Sequence, residues 1–192
     1  MPIIFFDLMG VVFTDKEVIK KYFYPYTRSK TYEEVKTLYH EFSLGKITEE
    51  KFLKELNMQI GWRDKFFACF HLNPEFTRCA SHLMEKNALF GLTNFPEEWA
   101  EELSERFELF HYLNGIISSA SIGSRKPSKE IYEHACSQGV GECIFVDDEI
   151  ENLDVAKKYG RTIYYSKELN KAKHEQVHDL SALKELLGEK KE

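Results

Sequence analysis

Short apolar runs alternate with longer stretches of helical periodicity along most of this chain. The alternation predicts a parallel sheet covered by helices on both faces. The first run, Ile3-Ile4-Phe5-Phe6, has no polar position, as a strand buried on both sides of its pleat requires. Ala88-Leu89-Phe90-Gly91-Leu92 predicts a second strand, ending at Thr93-Asn94. Gly115-Ile116-Ile117-Ser118 predicts a third, Cys143-Ile144-Phe145-Val146 a fourth ending at Asp147-Asp148, and Thr162-Ile163-Tyr164-Tyr165 a fifth. Helical patterns fill the gaps. Residues 96–107 open with a proline and an acidic first turn; residues 128–138 have a serine at the N-cap position and stop before Gly139. Residues 150–159 stop before Gly160.

One segment breaks this rhythm. Between Gly10 and the second strand there is no strand pattern. Instead, amphipathic helices are predicted over about 17–26, 32–42, 49–56, 62–70 and 75–86, punctuated by Gly45 and Asn73-Pro74. An all-helical block inside an α/β frame reads as an inserted small cap. The division is then 1–13 and 86–192 for the core and 14–85 for the cap. The aromatic cluster Tyr22-Phe23-Tyr24-Pro25-Tyr26, followed by Arg28, is assigned to the packed interior of that cap rather than to ligand contact. The tail from residue 167 is charged and carries one more helix over 181–187.

Composition narrows the classes. A chain of 192 residues, 43% hydrophobic and 30% charged, suits one soluble α/β domain with a modest insertion. A net charge of −6 opposes attraction to phosphate backbones, so nucleic acid is not an expected partner. No apolar run approaches the ~20 residues of a membrane span, and the N-terminus lacks a signal pattern. The expectation is a cytoplasmic protein without a membrane partner. Cys69, Cys79, Cys136 and Cys143 form no C-x-x-C pair and read as reduced thiols rather than a zinc site or a disulfide framework.

Candidate chemistry sits where the strands end. Asp7 follows the first strand, with Gly10 permitting a tight turn beside it. Thr93-Asn94 closes the second, Arg125-Lys126-Pro127 lies in the loop beyond the third, and Asp147-Asp148 with Asn152 follows the fourth. Open α/β sheets bind ligands beyond the carboxyl ends of their strands. Taken singly, each residue has a plain structural role: an aspartate starting a turn, a threonine or acidic pair capping a helix, an exposed lysine before a proline. Together, in this order, they resemble the haloacid dehalogenase-like hydrolase superfamily. The stretch Phe145-Val146-Asp147-Asp148-Glu149-Ile150-Glu151-Asn152 and the Lys126-Pro127 context carry most of the likeness.

The resemblance implies a Rossmann-like α/β core with an inserted α-helical cap, and a Mg²⁺-dependent phosphatase working through an aspartyl-phosphate. It implies Asp7 as nucleophile, with Asp7, the Met9 backbone carbonyl and Asp148 as Mg²⁺ ligands and Asp147 as a further metal partner. Thr93 and Lys126 would stabilise the phosphoryl group, Asn94 would contact substrate, and Asn152 would orient the acidic loop. Hard oxygen ligands suit that ion, and it would shield the attacking carboxylate from the phosphoryl oxygens.

One position departs from the pattern. Phosphatases of this family commonly have a second aspartate two residues after the nucleophile, acting as general acid and base. Here that residue is Met9, whose thioether does neither. Such assistance typically contributes about 10²–10⁴-fold. Asp15 follows nearby, and reads as a solvated residue at the entry to the cap. Two other functions remain open. A 2-haloacid dehalogenase expels halide without a proton, which makes Met9 harmless, although Asp147-Asp148 suits a metal those enzymes do not use. A non-catalytic phosphate-binding protein would retain the fold alone. The small cap implies a small phosphorylated metabolite as partner; its identity and the oligomeric state stay open.

Overall fold

The computed structural model describes residues 1–27, 29–58, 61–168 and 173–188. Its strands are β1 (Ile3–Phe6), β2 (Ala88–Thr93), β3 (Gly115–Ser118), β4 (Cys143–Asp147), β5 (Arg161–Tyr165) and β6 (Glu175–Val177). They form one parallel sheet in the order β3-β2-β1-β4-β5-β6. Helices α1 (Tyr32–Ser43), α2 (Glu49–Glu55), α3 (Trp62–Phe67) and α4 (Pro74–Leu83) all lie between β1 and β2. Beyond β2 come α5 (Glu97–Arg106), the short α6 (Ser119–Ile122) and α7 (Lys129–Cys136) around β3, then α8 (Ile150–Ala156) after β4 and α9 (Leu183–Leu186).

β1 is central, with Ile3 in register with both Ala88 and Cys143. The chain builds outward through β2 and β3, then crosses back to lay β4 on the other side of β1. That reversal opens a crevice at the carboxyl ends of β1, β2 and β4. The apolar run of β1 feeds two cores. Ile4 and Phe6 pack with Leu89, Val146, Phe76 of α4 and Trp99 of α5. Ile3 and Phe5 pack with Phe145, Tyr132 of α7 and Leu153 of α8. Both faces of the sheet are therefore covered, as the unbroken hydrophobic pattern requires.

The inserted helices interlock with the sheet layer through aromatic rings. Phe23, fully buried, lies 5.2 Å from Phe52, 5.1 Å from Trp62 and 5.6 Å from Trp99 between ring centroids. The Trp99 indole N–H donates to Glu49 Oε1 at 2.6 Å, and Arg63 joins Glu49 to Glu102. α4 instead packs against α9 and the adjoining turn Leu180–Ala182. Phe23 thus takes the interior place expected of it, whereas Tyr24 and Tyr26 are exposed; Arg28 lies outside the described residues.

Three local expectations are corrected. Residues 17–26 do not form a regular helix. Ile19–Phe23 makes a wide turn in which Tyr24 N–H reaches Ile19 O, and a tight turn at Tyr24–Tyr26 follows, with Pro25 supplying no amide donor. β6 has no counterpart in the sequence reading, because only Val177 of its three residues is buried. Cys136 and Cys143 are joined rather than separate thiols: the end of α7 is set beside the start of β4, with Cα atoms 6.1 Å apart. Cys69 and Cys79 are not in disulfides. No described helix is long and apolar enough to cross a membrane.

Candidate active site

Asp7 stands one residue beyond β1, held to the ladder by its N–H donating to Val146 O at 2.9 Å. The chain then folds back on itself: Phe13 N–H donates to Leu8 O at 2.8 Å and Gly10 N–H to Phe13 O at 2.7 Å. Gly10 has φ +92°, a left-handed conformation that side chains resist. A Cβ there would lie 2.4 Å from Asp148 Oδ2. Glycine is what lets the loops after β1 and β4 touch.

Around this contact the sequence motifs converge. Asp7, Asp147 and Asp148 each offer a carboxylate oxygen, all within 4.8 Å of one another. The Lys126 ammonium lies between two of them, 2.9 Å from Asp7 Oδ1 and 2.7 Å from Asp147 Oδ2. Asn152 donates to both Asp147 oxygens at 3.1 Å, and Glu149 N–H donates to Asp147 Oδ1 at 2.8 Å. Asn94 brackets the lysine backbone: Lys126 N–H donates to Asn94 Oδ1 at 2.7 Å and Asn94 Nδ2 donates to Lys126 O at 2.9 Å. Thr93 is buried at the end of β2, its hydroxyl accepting from Phe95 N–H at 3.2 Å. Lys16, exposed at the start of the insertion, forms an ion pair with Asp148.

The electrostatics follow from crowding like charges in a dry crevice. Burial holds Asp7 well above the usual carboxylate range; Lys126 opposes this, while Asp147 and Asp148 reinforce it. Asp148 is raised by its own burial and by Asp147, against the pull of Lys16. For Lys126, burial alone would favour the neutral amine, but the Asp147 and Asp7 carboxylates overturn that and raise it. Two cations facing three clustered carboxylates leave the trio short of positive charge. A hard divalent cation fits that deficit and that all-oxygen donor set.

Above the carboxylates opens a cavity of about 530 Å³, lined by Asp7, Met9, Thr93, Asn94, Lys126 and Asp148 from the strand ends. Asp15 does not line it. Its carboxylate accepts from Tyr22 Oη and from His71 N–H, both at 2.9 Å, and so ties down the base of the insertion. The insertion contributes Lys16, Lys36, Tyr39 and His40 instead, and Arg125 enters beside Lys126. The four from the insertion have no place in the sequence reading, and Arg125 enters it only as the neighbour of Lys126. A signal was present: Tyr32, Lys36, Tyr39 and His40 recur at the spacing of one helical face.

Residues 1–160 match a family model described as haloacid dehalogenase-like hydrolase. A sesquiterpene phosphatase of Aspergillus oryzae is 31% identical over 172 residues, spanning 81% of this chain and 84% of that protein. Among solved structures, a haloacid dehalogenase-family phosphatase from Thermococcus onnurineus superposes with a TM-score of 0.74 at 17% identity, covering 98% of each chain. An alanine mutant of a family enzyme from Bacteroides thetaiotaomicron, in complex with magnesium and inorganic phosphate, gives 0.72 at 17% identity over 90% of this chain and 97% of that one. A 2-haloacid dehalogenase from Pseudomonas syringae gives 0.70 at 15% identity over 97% and 98%. These three likenesses speak to the fold.

Proposed function

The chain belongs to the haloacid dehalogenase-like hydrolase family, and within it we propose a Mg²⁺-dependent phosphatase of a small phosphorylated metabolite, with Asp7 as the nucleophile. The observation that carries this reading is the meeting of Asp7, Asp147 and Asp148 oxygens within 4.8 Å, with Lys126 bridging two of them. A halide-releasing enzyme has no use for three such carboxylates, so the dehalogenase reading is second. The resemblance of the chain to a phosphatase, and of its fold to an enzyme crystallised with magnesium and phosphate, supports the same choice.

In this reading Asp7, the Met9 carbonyl and Asp148 hold the ion, with Asp147 as a further partner. The ion supplies charge that lets an anionic carboxylate approach an anionic phosphoryl group. Asp7 attacks phosphorus. Lys126 and the Thr93 hydroxyl meet the charge gathering on the phosphoryl oxygens. Asn94 keeps Lys126 in place through its paired backbone bonds, and Asn152 fixes the Asp147 carboxylate. The insertion, residues 14–85, is the cap that selects the remainder of the substrate. Hydrolysis of an aryl phosphate in Mg²⁺ is the test: it should be lost in chelator and in Asp7→Asn. Turnover that survives both would end the proposal, as would Mg²⁺-independent release of halide from 2-haloacids.

A further inference from the structure

Besides Glu17, Glu149 and Glu151, the lining of the cavity carries positive charge that the phosphatase reading leaves unused. Arg125, half-buried, donates to Ser43 Oγ and to Asn94 O, with its guanidinium 5.9 Å from the Tyr39 ring centroid. Among the described residues neither Arg125 nor Lys36 forms an ion pair, and the carboxylate that acts on Arg125, Glu149, does so from longer range across the same cavity. Lys36 is half-buried and faces the same cavity. His40 stands between them in charge: burial, then Arg125, then Lys36 push it down to about 4, against Glu33, so it is neutral and can donate a hydrogen bond. A partly buried guanidinium with no paired carboxylate is stabilised when an anion meets it, and a neighbouring ammonium adds to that pull. A second, independent observation bears on what that anion is. Met9 occupies the position of the missing general acid and lines the cavity, and Asp15 is engaged elsewhere. Neither residue can therefore protonate an alkoxide leaving the nucleophile's side of the cavity.

Both observations are met by one substrate class, and we propose that the enzyme cleaves the terminal phosphoryl group of a diphosphate ester, with Lys36, His40 and Arg125 binding the inner phosphate. This inference rests on the phosphatase reading and sharpens it. Asp7 forms the new O–P bond to the terminal phosphorus. The bridging P–O bond breaks, and its electron pair stays on the phosphate monoester, which leaves as an anion and needs no proton. Water then attacks the aspartyl-phosphate, inorganic phosphate departs, and Asp7 is regenerated. The proton shed by water passes to the released phosphate or to solvent.

The test compares three esters of one simple alkanol in Mg²⁺: the monophosphate, the diphosphate, and a monophosphate whose chain ends in a carboxylate. An aryl phosphate serves as control. The diphosphate kcat/KM should exceed that of the alkyl monophosphate by about 10²-fold or more, the share usually supplied by a general acid. Lys36→Met should lower diphosphate kcat/KM at least about tenfold more than it lowers that of the aryl phosphate, mainly through KM, and Lys36→Arg should restore much of it. Equal turnover of alkyl monophosphate and diphosphate overturns the inference, as does a preference for the carboxylate-bearing ester or a uniform effect of Lys36→Met. Aryl turnover with any of those outcomes sinks the diphosphate alone. Absence of turnover with every phosphate sinks the phosphatase reading with it.

Discussion

Replacing Lys126 by methionine keeps nearly the same stem and removes one ammonium. In the folded protein that ammonium sits 2.9 Å from Asp7 Oδ1 and 2.7 Å from Asp147 Oδ2, on a side chain only 2% exposed. The variant strands two buried carboxylates beside a third, Asp148. Breaking a buried pair from one side costs about 3–5 kcal/mol. For a chain of this size that corresponds to roughly 6–20 °C in melting temperature. A proton gives the variant an escape. Asp7 is already raised by burial, and losing Lys126 raises it further. An acid whose folded pKa exceeds its unfolded value destabilises fully above the folded value, and the penalty fades as pH falls from there toward the unfolded value. The loss should therefore be large near pH 8 and shrink near pH 5. Urea unfolding followed by Trp62 and Trp99 fluorescence, in chelator, reads both values. Millimolar Mg²⁺ should recover part of the loss, because a ligand that binds only the folded state stabilises it. A loss under about 1 kcal/mol, indifferent to pH and to Mg²⁺, would refute the view that Lys126 neutralises the acidic trio.

Gly10→Ala should weaken Mg²⁺ binding measured by titration calorimetry, because the new Cβ falls 2.4 Å from Asp148 Oδ2. Its left-handed backbone adds about 1–2 kcal/mol of destabilisation, and wild-type Mg²⁺ affinity in a folded variant would contradict the loop contact described above. His40, held down to about 4 in the folded protein against an ordinary 6.5, makes the unfolded chain the better proton binder between those values. Stability should then fall as pH drops from about 6.5 to about 4, and His40→Gln should flatten that part of the urea-midpoint profile; an unchanged slope would remove His40 from the account.

What could be read from the chain depended on whether a residue's place is set locally. β1 and β3 were legible because four consecutive residues fix a short strand, and the ends of β1, β2 and β4 deliver their last or following residue to the crevice. Asp7, Thr93 and Asp147-Asp148 were therefore findable once the runs were found. α1 was legible from its amphipathic spacing over 32–42, and in the structure Thr31 and Glu34 close its start, each side chain accepting from the other's backbone N–H. β6 did not, with a single buried residue. The cationic wall was hidden for another reason. Arg125 and Ser119 reach Ser43 across 82 and 76 residues of chain, and that docking, with the Phe42–Trp99 ring contact, sets the Lys36 face of α1 over the cavity. Nothing in local periodicity encodes such a junction.

The rings shared between Phe23, Phe52, Trp62 and Trp99 limit how the enzyme can breathe. Swinging the insertion away would wet about 400 Å² of aromatic surface, taking two to three rings at their usual size, or roughly 10 kcal/mol at common transfer values. Such an open form would be populated near one part in 10⁷. Traffic must then pass through the mouth of the cavity, with side chains such as Lys16 and Lys36 stepping aside. Amides of α1 and α5 should accordingly share one slow hydrogen-exchange rate, and a fast, separate release of α1 would expose a hinge. A doorway with a fixed lintel screens guests by girth before the charges inside can choose among them.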